Sequence, residues 1–185
     1  MAPNIITAAN VDQCLLAYEK SIEDVGSHIP LLRGISLIRE LKRGKTGVGP
    51  YAHVSLFESA NRIMTDLVIL HGVRWLLANK RLGFDRYNVE YGHENNNGYD
   101  IRAKRGQRTL VGEAFNVAPS FFQGKKAAMI RKLRIDKKAK VKLILFNHDA
   151  VAKGYVPKPP AGMHFVFVDI GTGKCTMTPK LGSSV

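Results

Sequence analysis

The chain has 185 residues, and its 28 Lys and Arg against 15 Asp and Glu give a formal net charge of +13. This length predicts one domain, and a hydrophobic content of 45% excludes an intrinsically disordered composition. No apolar run approaches the ~18 residues that a membrane-spanning helix needs. The composition therefore predicts a basic globular protein whose partner is a polyanion rather than a membrane.

The N-terminal sequence and the cysteines bear on the compartment. No basic segment followed by an apolar one occurs at the N-terminus, so no secretory signal is predicted. Cys14 and Cys175 lie far apart and fit no metal-binding pattern. We therefore expect an intracellular protein with reduced thiols, in the cytoplasm or the nucleus.

The first half of the chain predicts three helices. The first runs from Asn10 to about Gly26, and the second opens at Pro30. The third, from Val54 to Lys80, is apolar over more than one face, so it should pack on two sides. Within it, Gly72 indicates a kink or a close contact. The second helix carries an apolar stripe of Leu31, Leu32, Ile35, Ile38 and Leu41.

The second half changes to strand patterns around a single basic helix. The predicted fold is α/β (α+β), with a mixed central β-sheet of about five strands flanked by helices. Residues 1–50 form an N-terminal helical region, 51–170 the core and 171–185 a frayed tail. A turn is expected at His93–Gly98. The predicted elements are strands at Phe84–Tyr91, Tyr99–Lys104, Arg108–Val117, Val141–Phe146 and His164–Ile170, and a helix at Ser120–Ile135 capped by Ser120, with Phe121, Ala128, Met129 and Leu133 facing inward.

Almost the whole net charge falls in residues 102–142, where 13 Lys and Arg stand against two acids. This density favours binding to the phosphates of a nucleic acid. An acidic protein partner and a solvated face that keeps the protein soluble are the alternatives. The predicted nucleic-acid-binding residues are Arg102, Lys104, Arg105, Arg108, Lys125, Lys126, Arg131, Lys132, Arg134, Lys137 and Lys138.

A β-hairpin is predicted around Gly106–Gln107, because Gly at the first position of a two-residue loop suits a type II′ turn. Arg102 then faces Val111, and Asp100 faces Glu113. Two carboxylates ~5 Å apart repel each other, and a cation between them relieves the repulsion. Mg²⁺ binds carboxylates together with waters and phosphates, so the pair is a candidate metal site. A three-residue loop would shift the register by one and separate the acids.

A helix with Glu58, a strand with Asp100, a strand with Glu113, a basic helix and an apolar strand follow one another over residues 54–147. This order resembles the restriction-endonuclease-like fold of the PD-(D/E)xK nuclease superfamily, whose core is αβββαβ. The resemblance implies that Asp100 and Glu113 bind Mg²⁺ or Mn²⁺. It also implies that Glu58 matches an acidic position of the first core helix, and that a lysine assists the attacking water.

The lysine of the family's D/E-x-K triplet is replaced here, since Phe115 stands two residues after Glu113. Lys125 and Lys126 on the following helix are the catalytic candidates to take its place, and Lys104 is another. Lys125 and Lys126 also fit a simpler role as phosphate contacts.

The acidic residues have structural interpretations as well. Glu58 completes a capping box with Ser55, and it then only closes the start of its own helix. Asp100 and Glu113 could be neutralised by Arg102 or by nearby lysines as surface ion pairs.

Three functions follow from these patterns. The first is a nucleic-acid-binding protein with a restriction-endonuclease-like core, acting as a Mg²⁺-dependent nuclease that hydrolyses phosphodiester bonds, on DNA rather than RNA. The second is a non-catalytic DNA- or RNA-binding module on the same fold, and the third is a scaffold that binds an acidic protein. Nucleases of this superfamily often act as dimers, so the resemblance also allows a homodimer.

Overall fold

One mixed β-sheet runs through the structure, a computed structural model that describes residues 5–80, 82–92 and 98–179. The strands are β1 (Ile5–Thr7), β2 (Arg86–Val89), β3 (Ile101–Arg105), β4 (Arg108–Phe115), β5 (Val141–Asn147), β6 (Met163–Val168) and β7 (Cys175–Thr178). The α-helices are α1 (Val11–Ile22), α2 (Gly34–Arg43), α3 (Leu56–Asn79) and α4 (Phe122–Ile135). The predicted turn at His93–Gly98 lies, apart from Gly98, outside the described residues.

The order of the strands in the sheet follows their order in the chain. Strands β1 to β4 form an antiparallel meander, β4, β5 and β6 are parallel, and β7 is antiparallel to β6. The predicted α+β class with a mixed sheet is confirmed, but seven strands replace about five. The added strands, β1 and β7, are edge strands of three and four residues, and β7 lies within the segment predicted to be frayed.

The hairpin between β3 and β4 has the predicted register. Arg105 pairs with Arg108 across the two-residue loop, and Arg102 pairs with Val111. Gly106 has φ +58°, as the first loop position of a type II′ turn requires. The register predicted from the turn chemistry is therefore confirmed.

Helices α1 and α3 cover one face of the sheet. α3 packs against α1 and α2 on one side and against β4, β5 and β6 on the other, which confirms a helix that is apolar on two sides. At Gly72, an added Cβ would collide with Cδ2 of Leu145 on β5. This glycine therefore lets the helix approach the sheet closely, and the close contact is the correct one of the two predicted alternatives.

Helix α4 covers the other face over β4 and β5. Its buried residues are Phe122 and Leu133, whereas Phe121 is 70% exposed. The inward position predicted for Phe121 is wrong, because a 3-10 turn over Pro119–Phe121 precedes the helix and Phe122 turns inward instead. Ser120 lies within that turn, so it does not cap the helix. Phe115, Phe122 and Phe146 form an aromatic cluster under this helix.

Helix α2 keeps its apolar face in solvent. Pro30 opens a 3-10 turn at Ile29–Leu31, and the helix itself buries no residue. Leu31, Ile35 and Ile38 are 85%, 74% and 54% exposed. The periodicity correctly predicted an amphipathic helix, but its stripe is not part of the core. Within the described ranges, no helix combines the length and the apolarity needed to cross a membrane.

Candidate functional site

Three acidic residues occupy neighbouring positions: Glu90 directly follows β2, Asp100 directly precedes β3, and Glu113 lies on β4. The backbone N–H of Glu90 donates to the carbonyl of Asp100 over 2.9 Å, and Asp100 precedes Ile101, which pairs with Gly112. The same register places Asp100 opposite Glu113. Oδ2 of Asp100 accepts a hydrogen bond of 2.7 Å from the backbone N–H of Ala114. Asp100 is therefore fixed to β4 beside Glu113, as the sequence predicts.

Glu113 lies under α4 and is only 3% exposed. Burial and the charge of Asp100 raise its pKa to about 7, while Lys132 and Lys125 act in the opposite direction. Nζ of Lys132 lies 2.7 Å from Oε1 of Glu113. A carboxyl group with this pKa exchanges its proton near neutral pH, so a cation that approaches it competes with a weakly held proton.

Asp100 also lines a cleft of about 330 Å³ between α3 and the end of β4. We call it the acidic cleft, because its walls carry four carboxylates and two cations: Glu58, Asp66, Glu90, Asp100, Arg62 and Lys125. Glu90 and Asp66 are buried and Glu58 is exposed. The cleft therefore gathers negative charge at the end of the sheet, between α3 and the first turn of α4.

Asp66 anchors the wall of the acidic cleft. Its Oδ2 accepts hydrogen bonds from the hydroxyls of Tyr18 and Tyr51, at 2.5 and 2.7 Å, and from the backbone N–H of Gly92 at 2.8 Å. Burial raises its pKa to about 6 although these three donors lower it, and Asp100 adds to the rise. Asp66 thus ties α1, α3 and the segment after β2 together next to the candidate metal ligand Asp100.

Glu58 lines the acidic cleft but is bound locally. Oγ of Ser55 accepts from its backbone N–H at 3.4 Å, as in a helix N-cap. Its carboxylate forms an ion pair of 2.7 Å with Arg62, one turn further along α3. The N-cap hydrogen bond expected from the sequence is therefore made by the backbone of Glu58, while Glu58 also lines the cleft.

The lysine candidates lie in different places. Lys125 lines the acidic cleft and is close enough to Glu113 to lower its pKa. Lys126 instead binds Oε1 of Gln123 at 2.6 Å and the hydroxyl of Tyr155 at 3.1 Å, and it does not line the cleft. Lys104 is exposed near the hairpin tip. The lysine that contacts the acid pair is Lys132, predicted only as a nucleic-acid contact.

Phe115 cannot stand in for the missing lysine. It is fully buried and packs against Phe122 and Phe146, with ring centroids 5.8 and 5.5 Å away. It follows Glu113 by two positions on β4, so both side chains point toward α4. Helix α4 therefore contacts both residues: Phe122, at its start, packs against Phe115, and Lys132, one turn before its end, forms an ion pair with Glu113.

A second concave surface begins beside Glu113, on the part of the sheet that α4 leaves uncovered. This basic groove has a volume of about 840 Å³ and runs over β1 to β4. Its charged lining residues are Arg86, Arg102, Lys104, Arg105, Lys138, Asp85 and Asp136. Four of the predicted nucleic-acid-binding residues therefore share one groove.

The other predicted nucleic-acid-binding residues lie outside this groove. Arg108 stacks over the ring of Phe84 with its guanidinium carbon 5.5 Å from the centroid. Arg131, Arg134 and Lys137 are exposed on or just after α4. Arg131, Arg134 and Lys137 belong to a broader basic surface around α4, whereas Arg108 lies on the opposite face of the sheet, beside the core residue Phe84.

Sequence reasoning missed Asp66, Glu90 and the pairing role of Lys132. Asp66 could have been found as the one acid within the apolar run of α3. Tyr99 was missed as well: its ring lies under the guanidinium of Arg102 at 5.0 Å and near Nζ of Lys132 at 5.5 Å. No local pattern links Lys132 to Glu113, because the contact depends on how α4 packs.

The donor set fits a hard divalent cation. Among the described residues, no three His, Cys, Asp or Glu side chains converge to hold a metal ion. A Mg²⁺ here would use Asp100 and Glu113, with water and substrate oxygens completing its shell, which is its usual mode of binding. Burial is the largest cause of the raised pKa of Glu113, and the negative charge of Asp100 adds to it, as expected for a buried carboxyl group beside a second one.

Comparisons with models of known families, with curated proteins and with solved structures returned no match for this chain. The chemistry of the site therefore rests on its own geometry.

Proposed function

We propose that the protein binds nucleic acid and hydrolyses its phosphodiester bonds with Mg²⁺ or Mn²⁺ held by Asp100 and Glu113. The observation that carries this proposal is the acid pair itself. Two carboxylates interact across one hairpin, and the pKa of the buried one is raised to about 7. Lys132 contacts that same carboxylate, and a basic groove opens beside it.

The residues around the pair have distinct roles in this proposal. The backbone N–H of Ala114 holds Asp100 in place, and Lys132 keeps Glu113 oriented and near its ionisation point. Lys125, which lines the acidic cleft, would contact a phosphate oxygen. When bound, the divalent ion would neutralise charge on the phosphate and lower the pKa of an attacking water.

The order of elements supports the same proposal. Helix α3, strands β2, β3 and β4, helix α4 and strand β5 follow one another in the chain. This is the αβββαβ order of the restriction-endonuclease-like core that the sequence resembles. The resemblance remains a proposal, and Lys132 would take the place of the missing triplet lysine within it.

A cleavage assay tests the proposal. Wild-type protein is incubated with single-stranded and duplex DNA and with RNA, in Mg²⁺, in Mn²⁺ and in EDTA. Asp100→Asn and Glu113→Gln should each abolish metal-dependent cleavage while binding in EDTA persists. Lys153→Ala, which removes a charge on an exposed loop, should cleave normally. Wild-type protein that cuts none of these substrates with either metal would exclude the catalytic proposal.

A non-catalytic nucleic-acid-binding module is the second candidate. Phe115 occupies the triplet position and is part of the core, and Glu113 already forms an ion pair with Lys132. In that case nucleic acid binds with a steep salt dependence, neither metal supports cleavage, and Glu113→Gln leaves binding unchanged.

A further inference from the structure

The face of the sheet between β1 and β4 is uncovered on the α4 side, and this uncovered face is the floor of the basic groove. Arg86 and Asn88 on β2 and Arg102 and Lys104 on β3 are exposed there, while Tyr87 and Ala103, between them, are buried on the opposite face. A floor of this polarity does not fit the apolar face of another helix. It fits a charged or polar ligand.

The charge of the groove is positive. Five cationic residues line it against two acids, Asp85 and Asp136. Asp136 is already engaged, because its Oδ1 accepts hydrogen bonds of 2.8 Å from the backbone N–H groups of Lys138 and Ala139. These bonds lower the pKa of Asp136 and hold the segment that forms one wall. An anionic ligand is therefore favoured.

The groove leads directly to the acid pair. Along the same face of the hairpin, the pair Lys104–Thr109 is followed by Arg102–Val111, and the next pair is Asp100–Glu113. Same-face residues two positions apart are ~6.6 Å apart along a strand. This is comparable with the spacing of successive phosphates on an extended nucleic-acid strand. Lys104 and Arg102 could therefore contact successive phosphates before the chain reaches Glu113.

An aromatic ring lies just beyond the groove, near the acid pair. The guanidinium of Arg102, which lines the groove, is 5.0 Å from the centroid of the Tyr99 ring, and Nζ of Lys132, which contacts Glu113, is 5.5 Å from it. The Tyr99 side chain is only partly buried. Bases of a single strand stack on such rings, whereas bases paired in a duplex are unavailable for stacking.

The groove has room for a short stretch of one nucleic-acid strand. Its volume of about 840 Å³ lies within the ~300–1,000 Å³ range of small-molecule pockets, so a few nucleotides of one strand fit this space.

We propose that the basic groove binds a single nucleic-acid strand by its phosphates and leads it to Asp100 and Glu113, so that the substrate is single-stranded or carries a single-stranded segment. Arg86 and Asn88 are new members of this site. The part of this inference that leads the strand to Asp100 and Glu113 rests on the proposed function. Binding of a strand in the groove is measurable without catalysis.

The experiment measures binding in EDTA by fluorescence anisotropy, with a labelled oligothymidylate and a duplex of the same length, over a series of salt concentrations. The groove variant combines Arg86→Ala and Lys104→Ala. The matched control combines Lys20→Ala on α1 with Lys153→Ala, so that it loses the same charge away from the groove. Asn88→Glu, an exposed change on the groove floor, is a third variant, and thermal melting checks that all three fold.

We expect wild-type protein to bind the single strand more tightly than the duplex. In the groove variant, loss of two phosphate contacts should reduce the slope of log K against log salt by about 1.4, or about 0.7 for each contact. The control should keep the wild-type slope, and Asn88→Glu should weaken binding of the single strand.

Other outcomes separate the two proposals. Binding without cleavage, lost in the groove variant, supports the groove and removes only the catalytic proposal. If wild-type protein cleaves nucleic acid but the groove variant binds the single strand as tightly as wild type, the proposed role of the groove is wrong and the proposed function stands. A wild-type preference for the duplex has the same meaning. Wild-type protein that binds no nucleic acid overturns both.

Discussion

The ammonium nitrogen of Lys132 on α4 lies 2.7 Å from Oε1 of Glu113 on β4. The glutamate is buried and the lysine is partly exposed, so the contact joins the interior of the sheet to its basic surface. Glu113 therefore depends on Lys132 for its ionised form, and this dependence can be measured.

Replacement of Lys132 by Met should destabilise the protein in a pH-dependent manner. Without the lysine, ionised Glu113 is buried with less compensation, so its pKa rises further. We expect a loss of roughly 1–3 kcal/mol in the free energy of unfolding at pH 8 and a smaller loss at pH 6, where Glu113 is protonated. Urea denaturation at both pH values measures this difference.

Two further variants control that measurement. The double variant Lys132→Met with Glu113→Gln should recover most of the stability at pH 8, because no buried charge remains. Lys126→Met, which removes the neighbouring lysine that contacts Tyr155, should not show the pH-dependent loss. Equal losses at pH 6 and pH 8 for Lys132→Met would show that the pair is not coupled.

Binding of Mg²⁺ should release a proton from Glu113. Its pKa of about 7 in the metal-free protein means that, near neutral pH, part of the population must lose a proton before the carboxylate can bind a cation. Apparent affinity should then fall by up to about tenfold per pH unit below 7. Calorimetric titration in two buffers with different ionisation enthalpies reports the number of protons released.

Glu113→Gln removes the group that would release this proton. In this variant the measured enthalpy should no longer depend on the buffer, and any remaining Mg²⁺ binding should not depend on pH between 6 and 8. Proton release that persists unchanged would assign it to another group, such as Asp66.

Asp66→Asn should remove a pH dependence of stability. The folded protein holds the Asp66 proton to about pH 6, whereas the unfolded chain loses it near 3.8. Stability contributed by this proton is complete at low pH and is lost as the pH rises through about 6, by an amount on the order of 3 kcal/mol.

The isosteric amide can still accept hydrogen bonds through Oδ1 while carrying no charge. Denaturation of wild type and Asp66→Asn at pH 4 and pH 7 should therefore show a smaller difference between the two pH values in the variant. Asp85→Asn, a change at an exposed acid, is the matched control and should behave as wild type.

Two glycine-to-alanine changes should have opposite effects on the stability of the fold. Gly72→Ala places a methyl group against Leu145 and should cost about 1–3 kcal/mol, the usual effect of overpacking. An added Cβ at Gly124 in α4 meets nothing, so Gly124→Ala should raise stability by up to about 1 kcal/mol. Thermal unfolding of both variants tests the close approach of α3 and β5. A Gly72→Ala variant as stable as wild type would refute that close approach.

Local chemistry explains what the sequence could predict. The pairing of Asp100 with Glu113 follows from the Gly106 turn alone, since a two-residue loop fixes every partner along the hairpin. The long helix α3 follows from its periodicity. In both cases the signal lies within about thirty residues of contiguous chain and needs no knowledge of distant contacts.

The remaining features depend on packing between distant segments. The stripe of Ile35 and Ile38 has the spacing of a buried face, but periodicity does not show whether another element covers it. Strands β1 and β7 are too short to carry an alternating pattern and exist through pairing with β2 and β6. Lys132 meets Glu113 only because Phe122 and Leu133 direct α4 onto the sheet.

The two-residue loop at Gly106–Gln107 also governs how this protein can vary. Substitutions on the exposed side of the hairpin leave the pairing intact, but if one residue is inserted and the hairpin keeps a two-residue turn, β3 shifts against β4 by one position. That shift would turn Asp100 away from Glu113 while leaving both residues in the sequence. The two-residue length of a loop six residues from either acid is therefore a stricter requirement for the site than the identity of most residues between them.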